Sequence, residues 1–302
     1  MSVQRIVLAA LMLLAAGAMR ADFTFALLGD APYWPDEETQ FIDMLREINQ
    51  QDVAFVVHVG DIKNGSSPCD DAVFLQRREM FAVSRHPLIY LPGDNEWTDC
   101  WRLFAGSYDP LERLAKLREV FFNAPTSLGM TRIPLTRQSD TSSHPYPEHV
   151  RWIRERVLFA GFNLPGGDNN LNRMPDEHAK RDRAAREWLN AAFALARSRE
   201  LAAVVLLMQA NPFTESLRPR RGFTAFLERV AAETANFDGP VLLVNGDTHH
   251  HRIDHPVQDP VRKAPLRNLT RVEVFGSPRV DWVRVRAVDT GGRVTFAFSP
   301  GR

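Results

Sequence analysis

Four apolar runs in this sequence end in the same dipeptide: Gly29-Asp30, Gly60-Asp61, Gly93-Asp94 and Gly246-Asp247. Each run has the length and the β-branched or aromatic content of a buried strand. One Gly-Asp alone is explained by turn chemistry. Four at strand ends constrain the fold far more, because the strand ends of a parallel α/β sheet converge on one edge, where ligands bind. Glycine lets the chain turn sharply there, and aspartate supplies a hard oxygen. Carboxylates held close together repel, so such a cluster calls for a cation or for raised pKa values.

The sequence between these points fits that reading. Strands are expected at 23–28, 53–59 and 87–91, with helices at 36–49 and 70–83 between them. This βαβαβ rhythm implies a largely parallel, buried sheet. A helix at 111–121 precedes 123–148, which is rich in Pro, Ser and Thr and is expected to be a long loop. A strand at 157–163 then leads into the turn-rich Gly166-Gly167-Asp168-Asn169-Asn170. Residues 177–199 carry the plainest helical period, through Ala185, Trp188, Leu189, Ala192 and Leu195. A strand at 203–208, a helix at 224–234 and a strand at 241–245 follow. Three strand-like runs over 269–298, split by Gly276-Ser277-Pro278 and Thr290-Gly291-Gly292, are expected to be antiparallel. No repeat, heptad or linker demands a boundary, so 22–302 reads as one domain.

Charge narrows the function classes. Lys+Arg and Asp+Glu both number 37, so no basic field exists to hold nucleic acid, and none is expected as a partner. The local cluster of Arg218, Arg220 and Arg221 reads as a solvated loop. Arg5, an apolar run from Ile6 to Ala18 and the small residues after it have the anatomy of a signal peptide, expected over 1–21. Cleavage after Ala18 or after Ala21 fits equally. An uncleaved anchor is the alternative, although the run falls short of the roughly 20 apolar residues of a span. The mature protein is therefore expected in the periplasm or secreted, without a stable membrane span. In an oxidising compartment Cys69 and Cys100 are expected to pair, the alternative being two free thiols.

At the Gly-Asp points the chain resembles the calcineurin-like metallophosphoesterases. Their blocks read Asp-x-His, Gly-Asp, Gly-Asn-His-Asp/Glu, a lone His and Gly-His-x-His. The corresponding stretches here are Asp30-Ala31-Pro32, Gly60-Asp61, Gly93-Asp94-Asn95-Glu96, Gln209-Ala210-Asn211 and Gly246-Asp247-Thr248-His249. The resemblance implies an α/β sandwich of two mixed β-sheets flanked by helices. It also implies two divalent metals, with Asp61 bridging them, Asp30 and His249 on the first, and Asp94, Asp247 and Gln209 or Asn211 on the second. Asp94, Asn95 and His249 would be the catalytic positions. Pro32, Asn95, Gln209 and Asp247 depart from the pattern, each standing where a family histidine is expected. An oxygen-only second set suits Mn²⁺, Mg²⁺ or Ca²⁺ better than Zn²⁺, with iron also possible.

The function so implied is hydrolysis of a phosphomonoester or phosphodiester by a metal-activated water, on a small molecule or a surface substrate. Without a histidine at Asn95, one general acid is missing, which favours good leaving groups; His58, His250 or His251 are the replacements to consider. A non-catalytic member of the same fold that binds metal or ligand is the alternative, and a different hydrolase using the same carboxylates a third reading. His251 is expected to face the pocket of His249, and His250 to be exposed. Lys63 and Asn64 are expected either to contact phosphate or to lie in a solvated loop. Tyr33, Trp34 and Trp97 are expected to pack rather than to stack on a substrate. If the loops of Cys69 and Cys100 meet, their bridge would brace the site. No Gly-x-Ser-x-Gly elbow, phosphate-binding Gly-Lys-Ser/Thr loop or dinucleotide fingerprint is present.

Overall fold

The computed structural model describes residues 22–141, 145–213 and 220–302. The expected export segment at 1–21, residues 142–144 of the expected loop, and Arg218 lie outside the described residues. In chain order the first half comprises β1 (Phe23–Leu28), α1 (Pro35–Ile48), β2 (Val56–His58), α2 (Asp71–Phe81), β3 (Leu88–Tyr90) and α3 (Pro110–Phe121). There follow β4 (Thr136–Arg137), α4 (Gln138–Thr141), β5 (Val150–Arg154), β6 (Val157–Gly161) and α5 (Gly166–Asn169), this last a left-handed turn. Then come α6 (Pro175–Ser198), β7 (Ala203–Leu207), α7 (Thr224–Ala235), β8 (Val241–Asn245), β9 (Arg252–Asp254) and β10 (Leu269–Glu273). A hairpin of β11 (Val283–Thr290) and β12 (Arg293–Pro300) ends the chain.

Two mixed sheets result, as the resemblance implied. One runs β12-β11-β1-β2-β3, and the other β4-β5-β6-β7-β8-β10-β9. Within the first, β1, β2 and β3 are parallel, while β11 pairs antiparallel with β1. Within the second, β6, β7, β8 and β10 are parallel. The expectation of one antiparallel unit over 269–298 fails at its first run, because β10 lies parallel to β8 and only β11 and β12 form a hairpin. Strand patterning could not separate them, since β10 is buried like its parallel neighbours.

Side-chain alternation along β1 explains the layering. Ala26 and Leu28 pack under α1, α2 and α3, whereas Phe25 and Leu27 enter the core between the sheets. A third cluster seats α6 and α7 on the second sheet through Trp188, Leu189, Phe193, Phe226 and Val230. Aromatic rings lock the sheets face to face: Phe25 lies 5.3 Å from Phe55, Phe55 5.0 Å from Phe159, and Phe159 5.0 Å from Trp152. The helices begin where their sequences direct. Pro35 opens α1 ahead of three acidic residues, and Asp109 caps α3 by accepting from the Leu111 N–H at 2.7 Å.

The expected loop at 123–148 is partly built structure, holding β4 and α4. Its organiser is Arg137, whose buried guanidinium donates to the carbonyls of Ala124 and Pro147 at 2.6 Å. Such a charge satisfied by backbone is invisible to composition. Among the described residues no helix is long and apolar enough to cross a membrane.

Candidate functional site

The four Gly-Asp points do meet at one edge, but they come from two sheets. Asp30, Asp61 and Asp94 follow β1, β2 and β3, whereas Asp247 follows β8 of the other sheet. Two of the glycines, Gly93 and Gly246, are explained by the aspartates of other strands. A Cβ on Gly93 would stand 2.0 Å from Asp61 Oδ1, and one on Gly246 would stand 2.1 Å from Asp30 Oδ2. Only a bare Cα lets these carboxylates pack there. Asp30, Asp61, Asp247 and His249 adopt left-handed φ values of 50°, 56°, 82° and 60°. That conformation costs a non-glycine residue about 1–3 kcal/mol, which the surrounding packing must offset.

Asp61 is the hub. Its Oδ2 accepts from Asn95 Nδ2 at 2.9 Å, Tyr33 Oη at 3.1 Å and Gln209 Nε2 at 3.2 Å, and its Oδ1 accepts from the Asn95 N–H at 3.1 Å. Gln209 uses its other end, Oε1, to accept from the Gly166 N–H at 2.7 Å. Both oxygens of Asp30 accept from the Asp247 N–H, at 3.0 and 3.1 Å, and His249 Nε2 lies 4.0 Å from Asp30 Oδ1. Asp247 Oδ2 accepts from the Asn211 N–H at 2.9 Å, with the Arg220 guanidinium 3.9 Å away at the rim. Asp94 differs from the rest: its Oδ1 is buried and has no hydrogen-bond partner among the described residues.

Beneath these groups, Glu96 ties two site loops together. Its Oε1 accepts from the Asp61 N–H at 3.0 Å, the Gly93 N–H at 2.7 Å and the Tyr90 hydroxyl at 2.8 Å. Lys63 is buried and donates to the carbonyls of Asn95 and Asn64, at 2.7 and 2.8 Å. It is therefore neither a solvated lysine nor a phosphate contact. Cys69 and Cys100 form the expected disulfide, with Cα atoms 5.8 Å apart. Their sulfurs lie 3.5 and 3.7 Å from the Asn95 carbonyl oxygen. A disulfide has no thiol proton to donate, so these are packing contacts that bring the bridge against the Asn95 turn.

The electrostatics follow from burying carboxylates close to one another. Burial above all pushes Asp30 well above the usual range; the Asp247 N–H opposes this, and the charges of Asp247 and Asp94 add to it. Asp61 is pushed up by burial and then by Asp94 and Glu96. Burial followed by the charge of Asp94 raises Asp247 to about 7, and the same two causes raise Asp99 to about 7. Burial also raises the Tyr33 hydroxyl, with Asp61 next. Lys63 falls to about 8 because burial outweighs the attraction of Glu96 and Asp61.

The structure thus brings together Asp30, Asp61, Asp94, Asn95, Gln209, Asp247 and His249. Among the described residues, no group of three or more His, Cys, Asp or Glu side chains is arranged to hold a metal ion. Hydrogen bonds occupy most of the donors instead. His249 Nδ1 meets the Ser277 carbonyl at 2.7 Å, and its Nε2 meets Tyr33 Oη at 3.1 Å. His250 is exposed. His251 turns to the Glu273 carbonyl, 2.7 Å from Nδ1, and rests on Phe275. His58 is buried below the first two loops, with Nε2 2.9 Å from the Ala31 carbonyl and Nδ1 accepting from the Gly60 N–H at 3.2 Å. Trp97 is core, as expected, and Trp34 is half exposed. Tyr33 was not expected to enter the polar site, yet its position three residues after Asp30 was the available signal.

A family model described as calcineurin-like phosphoesterase matches residues 23–251. No curated protein matches the sequence. Among solved structures, a dimetal phosphatase from Danio rerio superposes with a TM-score of 0.57 at 11% identity, over 91% of this chain and 98% of that one. Purple acid phosphatase PPD1 from yellow lupin (Lupinus luteus) seeds gives 0.56 at 11% identity, over 93% of this chain and 52% of that one. PhoD gives 0.53 at 13% identity, over 92% and 68%. At these identities the likeness is one of fold.

Proposed function

Because this chain belongs to the calcineurin-like phosphoesterase family, we propose that it hydrolyses phosphomonoesters or phosphodiesters outside the cytoplasm, using a divalent cation seated between Asp94 and Asp247. The observation that carries this reading is Asp94 Oδ1, a buried carboxylate oxygen without a hydrogen-bond partner among the described residues. After burial, the charge of Asp94 is what most raises Asp247, and a cation held by the two would relieve that repulsion. Two carboxylates and retained waters suit a cation of the Mg²⁺ or Mn²⁺ kind, which needs no third protein anion.

A bound cation would neutralise phosphoryl oxygens and activate a water for attack. The protein's own groups set the rest. Asp61 holds the side-chain amides of Asn95 and Gln209 in fixed orientations. Arg220 stands at the rim beside Asp247 and supplies the guanidinium that would receive a phosphate oxygen. Asn95 carries no transferable proton, so the general acid expected at that position is missing, and activated esters are the substrates this site favours. The Cys69–Cys100 bridge supports an oxidising compartment, periplasmic or extracellular.

The test is turnover of p-nitrophenyl phosphate and bis-p-nitrophenyl phosphate with added Mn²⁺, Mg²⁺ or Ca²⁺. Asp94→Asn and Asp247→Asn are each expected to lower kcat about 10²–10³-fold, the scale on which one aimed electrostatic group acts. A folded wild type that turns over neither ester with any of these metals would overturn the enzyme reading. One observation favours the alternative of a non-catalytic binding member: hydrogen bonds already engage the side chains of Asp61, Gln209 and His249.

A further inference from the structure

By the family resemblance, a first cation would lie where Asp30, Asp61 and His249 converge. The residues at that point do not fit one. Pro32 offers no ligand, and both Asp30 oxygens accept from the Asp247 N–H. The space between Asp61 and His249 is taken by the Tyr33 hydroxyl, 3.1 Å from Asp61 Oδ2 and 3.1 Å from His249 Nε2. Asn95 Nδ2 donates to the same oxygen at 3.0 Å.

With a proton on His249 Nδ1 donating to the Ser277 carbonyl, Nε2 presents a lone pair. Asp61 Oδ2 presents another. Two acceptors thus converge on one hydroxyl proton, as they would converge on a cation. The tyrosine is also fixed in place. Its N–H donates to Glu37 Oε2 at 2.7 Å, Glu37 Oε1 accepts from Ser277 Oγ at 2.6 Å, and its ring stands edge-on to His249 with centroids 5.1 Å apart. The loop from Tyr33 through Glu37, Ser277 and His249 back to Tyr33 is closed.

The geometry points to Tyr33 as a built-in substitute for the first cation, leaving a centre that takes one divalent ion instead of two. This rests on the cation reading given above for Asp94 and Asp247. His249 then acts as a positioning residue for Tyr33 and binds no metal.

Elemental analysis and Mn²⁺ electron paramagnetic resonance on the full mature chain test the assignment without any activity assay. Wild type should hold one equivalent with an uncoupled six-line signal. Tyr33→Ala, which opens the space, should take two and show spin coupling between them. His249→Gln in the otherwise intact chain should leave Mn²⁺ affinity within about twofold of wild type, which covers the case in which Tyr33→Ala fails to fold. Two equivalents in wild type, or a tenfold loss of affinity in His249→Gln, would overturn the substitution while leaving the phosphoesterase reading in place. A single equivalent in folded Tyr33→Ala would also overturn it. No bound Mn²⁺ in either wild type or Tyr33→Ala would overturn the cation reading and this inference with it.

Discussion

His149 shows how much a single side chain can be shifted by its surroundings. It is fully buried between Tyr146 and Phe162, and burial drives its pKa down to about 3; His58, also fully buried, falls to about 4. Both rings stay neutral in the fold, whereas in the unfolded chain they protonate near the ordinary value of 6.5. Their contribution to stability is therefore complete above pH 6.5 and is lost as pH falls towards 4 and then 3. Proton NMR should find neither ring titrating between pH 8 and pH 5, and a midpoint near 6.5 for either would contradict their burial. At this scale the sequence was legible where a residue's role is chemical and local. Asp30, Asp61, Asp94 and Asp247 could be placed together because glycine and aspartate mark a turn with a ligand at its tip. Tyr33, Lys63 and Glu96 were not legible, because what each does depends on a partner from another strand end. A buried lysine that feeds two carbonyls has the same sequence context as an exposed one.

Among the elements, the turn carrying Asn95 is held from more than one side. It receives Lys63 on its carbonyl and packs against the Cys69–Cys100 bridge. Closing a loop over a sequence separation of 31 restricts the unfolded chain, and its removal is expected to cost about 3–4 kcal/mol. Cys100→Ala should therefore melt well below wild type, and because Asn95 rests on the bridge, esterase turnover should fall before the fold is lost. Equal melting temperatures for the two proteins, or for oxidised and reduced wild type, would remove the bracing role. Helices and parallel strands were legible as elements, α6 best of all, since its apolar period runs unbroken against the second sheet. The segment 123–148 was not, because Arg137 and Glu148 are charges buried by pairing with carbonyls and with Arg118. Polarity there reads as solvent exposure when it is internal structure. β10 was placed with the wrong neighbours for a related reason: its parallel pairing with β8, Leu269 against Val241, leaves no local mark.

On the scale of the whole molecule, the site depends on how the two sheets pack. Three of its aspartates ride on one sheet and Asp247 on the other, so the aromatic core between the sheets sets their separation. Phe159→Ala, at the centre of that core, is expected to cost about 3–5 kcal/mol of stability by urea unfolding. It should also weaken Mn²⁺ binding, although Phe159 belongs to the interior and touches none of the four carboxylates. A stable variant with unchanged Mn²⁺ affinity would show that the loops, and not the sheets, hold the site. The pairing of β1 carries a further consequence. Its two neighbours are β2, next in the chain, and β11, with Phe23 set against Ala287. A chain made from its N-terminus thus exposes one bare edge of β1 until nearly all of its length has emerged. The first sheet closes last, through contacts of the longest range in the molecule, and such closure is slow. Completion of the first sheet therefore waits for the end of synthesis, and until then the open edge of β1 is free to pair with any other strand that meets it.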